Sequence, residues 1–244
     1  TDNKLIAVDI LTGKIKWEIN FINPIARRGI LYWKDSISNL GFIFVNSKER
    51  LFKINIKKGE FDKNFGTNGF VFSGNSITSP LVYKNNVWVV TTNRPILIQA
   101  FDLNSGANKN TISLNTLDLN GSISWGGNAL DPSNGLLFIT TGNPKPALYG
   151  GTRKGDNFGS NSIVAINLNS KKIEWVFQET KHDLWDYDIG SPPMLTTLKI
   201  KNKKYSVVVA PTKIGNTLIL DRISGKPIFD INYRKVEASN VLGE

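Results

Sequence analysis

The sequence contains no cysteine and a single histidine, His182. Without cysteine there is no disulfide framework, zinc knuckle, iron–sulfur site, attached c-type haem or thiol nucleophile. One histidine removes any centre built on a His pair or triad, zinc hydrolases and facial-triad oxygenases included. The redox compartment stays open, because a chain without cysteine suits either. Long apolar runs are lacking as well: the longest, around residues 87–90 and 207–210, fall far below the ~20 residues a membrane-spanning helix needs. No membrane span is expected. Thr1-Asp2-Asn3-Lys4 leads straight into an apolar alternation, without the charged start and apolar stretch of a secretion signal. Read alone, that start belongs to a cytoplasmic chain or to one whose true beginning lies upstream.

What is present is 244 residues, 40% of them hydrophobic, more than one ordinary core of ~100–200 residues. Two domains or one large all-β domain fit that length. A net charge of +10 raises the question of nucleic acid, which requires clustered Lys and Arg. The lysines do not cluster in that way. Lys53, Lys57 and Lys58, then Lys171 and Lys172, then Lys199, Lys201, Lys203 and Lys204 fall in or beside expected turns far apart in the chain. Solvated hairpin tips account for them, with a docking patch for an acidic partner as the alternative; no nucleic-acid partner is expected.

One unit recurs five times. Aligned on an Asp or Asn, it ends a β-rich run at Asp9, Asn55, Asp102, Asn167 and Asp221, at intervals of 46, 47, 65 and 54 residues. The two long intervals carry insertions. Four residues after each of these comes Gly13, Gly59, Gly106, Lys171 or Gly225, and another β run usually follows. This pattern predicts a β-hairpin in which Asp or Asn bonds its own turn and Gly accepts a positive φ. Trp17 and Trp175 share one offset, eight residues after the Asp or Asn, as aromatic wedges between neighbouring units would.

A period near ~40–50 residues with several strands per unit is the signature of propeller blades, each a four-stranded antiparallel sheet. Further strands are expected at 41–45, 87–91, 135–140 and 206–210, rich in β-branched or apolar residues between turn formers. No long helix is expected. Five units give about five blades of an all-β propeller, and a propeller must close to remove its sheet edges. The expected domain, residues 1–244, is therefore a single propeller domain truncated at both ends.

The unit Ala7-Val8-Asp9 with Thr12-Gly13 and Trp17 resembles the tryptophan-docking repeat of the pyrroloquinoline-quinone (PQQ) dependent quinoprotein dehydrogenases. More specific are Trp125-Gly126-Gly127-Asn128-Ala129-Leu130-Asp131, Thr141-Gly142-Asn143-Pro144 and Lys181-His182-Asp183-Leu184-Trp185-Asp186-Tyr187-Asp188. With Pro211-Thr212-Lys213-Ile214-Gly215-Asn216 and Leu220-Asp221-Arg222, they are similar to the membrane glucose and quinate dehydrogenase branch. That family's propeller has eight blades, of which this chain would cover about five.

The resemblance implies roles residue by residue. Asp186 matches the general base that takes the hydroxyl proton of the alcohol while hydride passes to the quinone; a carboxylate ionised at neutral pH suits this. Lys213, 27 residues on, matches the cation beside the quinone oxygens, where charge builds during the reaction. Trp125 matches the indole on which the flat cofactor lies, with Gly126 and Gly127 expected to leave room for it. Arg28 and Thr78 resemble the cofactor's carboxylate-binding residues, with Arg27 as the competing candidate; the planar guanidinium matches a carboxylate. For the divalent cation, Asn143 matches the amide ligand, 18 residues after Trp125. The carboxylate often found near Thr92-Asn93-Arg94 is missing, and Asn93 is the neutral substitute at the cofactor site. Asp188 compensates if, two apart on an extended strand, Asp186 and Asp188 share a face while Tyr187 points away. Calcium ranks first, then magnesium, then a lanthanide. His182 is expected to hold the loop through backbone or Asp183.

The function implied is a PQQ-dependent oxidation of a sugar, polyol or cyclic alcohol in the periplasm. The absence of cysteine agrees with the sugar and polyol branch and leaves electrons to an external acceptor, ubiquinone or a cytochrome. The alternative is a non-catalytic propeller of the same repeat family that binds partner proteins in the cell envelope. Joint retention of Trp125, Asn143, Asp186 and Lys213 is what separates the two.

Overall fold

The computed structural model describes residues 3–242, and among them there is no helix. The chain divides into two compact units, one up to Ser113 and the other from Leu114 onward. The first holds three antiparallel sheets. β1 (Lys4–Val8) pairs β2 (Ile15–Asn20); β3 (Leu31–Lys34), β4 (Gly41–Ser47), β5 (Arg50–Asn55) and β6 (Glu60–Phe61) follow in order, with β7 (Phe70–Phe72) also on β5; then β8 (Leu81–Tyr83), β9 (Asn86–Val90), β10 (Leu97–Asp102) and β11 (Asn108–Ser113) form a meander. The second unit holds two. β12 (Asn128–Asp131), β13 (Leu136–Thr140), β14 (Ser162–Asn167) and β15 (Lys172–Gln178) make one, and β16 (Met194–Ile200), β17 (Lys203–Pro211) and β18 (Thr217–Asp221) the other. Among the described residues the five repeats are therefore five sheets, although their strand counts are two, five, four, four and three.

Each repeat's Asp or Asn ends a strand, or in the case of Asp9 directly follows one, and closes the turn beyond it as expected. Asp9 Oδ1 accepts from Leu11 N and Thr12 N, Asn55 Oδ1 from Lys57 N and Lys58 N, Asp102 Oδ1 from Asn104 N and Ser105 N. Asn167 and Asp221 repeat the pattern in the second unit. The residue four on donates its N–H back to the carbonyl of the Asp or Asn at 2.8–2.9 Å. Its φ lies between 62° and 72° at all five turns, which glycine adopts freely and Lys171 adopts under strain.

The two tryptophans are wedges. Trp17 Nε1 donates to Ile56 O at 2.8 Å and its indole covers Gly59, where a Cβ would come within 2.4 Å. Trp175 repeats this against Arg222 O and Gly225. Beneath these contacts the sheets bury apolar side chains: Ile19, Phe21, Val45 and Ile54 against Trp17 in the first unit, Phe138, Ile163, Ala165, Val208, Ala210 and Leu220 against Trp175 in the second. Burying each large side chain contributes about 1.5–3 kcal/mol.

One lysine departs from its expected place. Lys53 lies within β5 and is buried, its Nζ 2.8 Å from Asp62 Oδ2 and 4.1 Å from the centre of the Phe42 ring. Its aliphatic stem and ion pair make it a core residue. Lys57, Lys58, Lys171, Lys172, Lys199, Lys201, Lys203 and Lys204 are exposed.

Candidate active site

The two insertions that lengthen the repeat lie in the second unit, between β13 and β14 (residues 141–161) and between β15 and β16 (residues 179–193). They carry Asn143 and the 181–188 motif, and they meet at Asp188. This buried carboxylate accepts from Trp125 Nε1 at 3.1 Å and Asn143 N at 2.8 Å through Oδ1. Its Oδ2 lies 3.5 Å from Lys213 Nζ, which is 2.6 Å from Asp186 Oδ2. Trp125, Asn143, Asp186, Asp188 and Lys213 thus form one connected set. Two glycines permit the approach: a Cβ at Gly142 would strike Asp188 Oδ1 at 2.3 Å, and one at Gly190 would strike the Trp125 ring at 2.6 Å.

Gly126 and Gly127 are closely packed. A Cβ at Gly126 would meet Thr140 Oγ1 at 2.5 Å and Ser191 O at 2.9 Å, and one at Gly127 would meet Pro192 at 2.7 Å. Their neighbours Ser191 and Pro192 belong to the segment that follows the 181–188 motif.

Asp186 and Asp188 converge, but not by strand alternation. Asp186 has φ 64°, so the backbone turns there instead of extending. The turn is held by Asp183, fully buried, whose Oδ1 accepts from Trp185 N at 2.8 Å and whose Oδ2 accepts from Tyr187 N at 2.7 Å. Asn161 Nδ2 completes the clamp on Asp183 Oδ2 and Tyr187 O. Arg153, buried, donates to Asp183 O and to Asn157 Oδ1. His182 holds the loop through backbone: its Nδ1 donates to Gly155 O at 2.8 Å, and its Nε2 edge leaves no room for a Cβ at Gly150.

Lys213 stands in the turn between β17 and β18 and is half exposed. Its hydrogen bond to Asp186, foremost, holds that carboxyl below the usual aspartate range, and the same bond raises the lysine. Both stay charged at neutral pH. Lys145, absent from sequence reasoning, donates to Asn143 Oδ1 at 2.7 Å and adds a second positive charge near Asp186. Glu179 was missed too; it accepts from Thr212 Oγ1 and Asn216 Nδ2 on either side of Lys213. No short motif announces either residue, since both act through chain-distant partners or a charge. Arg222 and Asp131, which lie in motifs, pair with each other at 3.1 Å and serve the framework.

In the first unit, Arg28 and Thr78, 50 positions apart, are neighbours in a parallel bridge, with Arg28 N donating to Ile77 O. Thr78 is buried, and Arg28 and Arg27 are both exposed. Asn93 Oδ1 accepts from Asn75 N at 3.3 Å, closing the loop at Gly74.

Among the described residues no three His, Cys, Asp or Glu side chains gather as a metal cluster. The candidate oxygen set is two carboxylates and an amide, Asp186, Asp188 and Asn143, the amide oxygen being held by Lys145. All-oxygen ligands of this kind suit a hard divalent cation, and both carboxylates already draw an ammonium between them. Asn143 Nδ2 is buried without a partner, a donor left over for an oxygen-bearing ligand.

The chain is 27% identical to quinoprotein glucose dehydrogenase A of Acinetobacter calcoaceticus, with 96% of this chain and 36% of that protein covered. It is 28% identical to the glycerol dehydrogenase large subunit of Gluconobacter thailandicus, covering 98% of this chain and 39% of that one. A europium-containing methanol dehydrogenase superposes with a TM-score of 0.71 at 22% identity, over 95% of this chain and 49% of that chain. The chain therefore spans a little over a third of the length of these sequence relatives. Residues 1–244 match the family model "PQQ: Glucose/ethanol/alcohol dehydrogenase, beta-propeller domain", and the chain belongs to that β-propeller family.

Proposed function

We propose that the protein is a PQQ-dependent dehydrogenase that oxidises a sugar, polyol or cyclic alcohol, with Asp186 as general base. The observation that carries this reading is the connected set Trp125–Asp188–Asn143 and Asp188–Lys213–Asp186. A scaffold that only docks partners has no use for a half-exposed carboxylate held against a lysine beside an anchored indole. When bound, the quinone supplies the hydride acceptor and the cation, calcium first, a Lewis acid.

The chain's own residues supply binding and proton handling. Trp125, pinned through Nε1 by Asp188, offers an aromatic surface to a planar ligand. Asp188, Asp186 and Asn143 would hold the cation; in the first unit, Arg28 and Thr78 are the candidates for binding carboxylates and Asn93 a further cofactor-binding candidate. Asp186, ionised by its bond to Lys213, accepts the hydroxyl proton at a carboxylate oxygen. Lys213, fixed as a cation, favours negative charge on whatever lies next to it. Electrons pass to an external acceptor, ubiquinone or a cytochrome, in the periplasm.

The test is reconstitution of the full-length protein with PQQ and Ca²⁺, followed by dye reduction with glucose, quinate and simple alcohols. Asp186→Asn is expected to lower kcat by about 10²–10⁴-fold with the quinone still bound. Absence of quinone binding, or an Asp186→Asn variant that turns over normally, overturns the assignment.

A further inference from the structure

The turn that carries Lys213 is tied to an element far from it in sequence. Thr212 N donates to Asn216 O at 2.9 Å and Gly215 N to Thr212 O at 3.0 Å, so the backbone closes on itself with the lysine at its outer edge. Both ends are then held from outside. Glu179, the residue after β15, accepts from Thr212 Oγ1 and from Asn216 Nδ2 at 2.9 Å each, through the same oxygen, Oε1. Glu179 is itself fixed: its N–H donates to Asn161 O at 2.9 Å, and Asn161 belongs to the clamp on Asp183 and Tyr187 that shapes the Asp186 turn. One buried side chain therefore links the lysine's turn to the loop that presents Asp186.

The carboxyl costs stability where it sits. It is 9% exposed, its Oε2 has no partner, and no cation pairs with it among the described residues. A residue needed only to fill that space would be apolar. An oxygen that collects two donors is needed only if the turn must be held.

We propose that Glu179 is a positioning residue for Lys213: one oxygen of its buried carboxyl grips both ends of the turn and fixes where the ammonium stands relative to Asp186 and Asp188. The use of a placed lysine rests on the dehydrogenase reading, whereas the placement itself does not. Removing the grip frees Lys213 from its 2.6 Å pairing with Asp186, and an amide at 179 preserves it because its oxygen accepts the same two donors.

The experiment is trace acetylation of the intact protein, without quinone or metal, at one fixed pH. The modification rate of Lys213 is read by mass spectrometry against Lys199 and Lys201, which are exposed. In the unmodified sequence Lys213 is expected to react more slowly than those references. Glu179→Ala is expected to raise its rate severalfold, and Glu179→Gln to restore it. Thr212→Val and Asn216→Ala, on the turn's own side, are expected to raise it as Glu179→Ala does, and they carry the test if Glu179→Ala does not fold. A Lys213 rate unchanged in all three of these variants, while Asp186→Asn raises it, overturns the proposal. Because no cofactor enters the measurement, failure of the dehydrogenase reading would leave a positive labelling result standing. In the loaded enzyme, Glu179→Ala is expected to lower kcat more than it changes KM, with Glu179→Gln close to the original.

Discussion

Asp183 shows how much of the site hangs on single polar side chains. Fully buried, it collects Trp185 N, Tyr187 N and Asn161 Nδ2, and the left-handed Asp186 emerges between the first two. Motif resemblance singles out Asp186, but the reason it meets Asp188 is a bend that strand periodicity does not foresee. Glu179 gives a test of charge at the same scale. Burial, its largest cause, pushes this carboxyl above the ordinary glutamate value of 4.5. The folded state therefore holds a proton that the unfolded chain has released, and stability falls as pH rises from that value through the raised one. Glu179→Gln removes the dependence. Its thermal midpoint relative to the original is expected to increase from pH 4 toward neutrality, the reverse of what loss of an ion-paired carboxylate would give. Paired thermal melts across that range decide it.

At the level of elements, the turn after each repeat strand is the unit of construction. Its Asp or Asn was legible because the side chain that caps the turn belongs to the same few residues; no distant partner is needed. The tryptophan wedge was legible only as an offset, since the glycine it covers lies in the next repeat. Gly225→Ala places a Cβ 2.5 Å from Trp175 at φ 70°. Overpacking a rigid ring costs about 1–3 kcal/mol and the left-handed backbone about 1–2 kcal/mol, so a large loss is expected in urea unfolding. Lys171→Gly, with φ 62° and the side chain exposed, is expected to be neutral or to stabilise by up to about 1 kcal/mol. If both substitutions have equal effects, the tryptophan contact is not what constrains the glycine.

For the whole molecule, the net charge is +10, and Lys57, Lys58, Lys171, Lys172, Lys199, Lys201, Lys203 and Lys204 contribute to it from exposed positions. In the β16–β17 hairpin, Lys199 stands opposite Lys204, a like-charge pair that disfavours the sheet. Lys204→Glu is expected to add about 0.2–1 kcal/mol of stability at low salt, fading above about 0.15 M as the screening length shrinks to about 8 Å. Salt-dependent denaturation checks it. Lys53 escaped this reading because a lysine beside an expected turn looks solvated until the fold brings Asp62 and Phe42 to it.

The amino-acid sequence by itself determined the all-β class, the five repeats, their turns and the candidates Trp125, Asn143, Asp186, Asp188 and Lys213, because each of these is written in local spacing or in a motif. The tertiary structure alone decided which of those residues meet. Trp125 and Asp188 are 63 positions apart, and Asp186 and Lys213 are 27 apart; only folded insertions between sheet strands bring them within hydrogen-bond reach. The same long-range closure revealed Glu179, whose role exists through Thr212 and Asn216 and has no signature in its own neighbourhood.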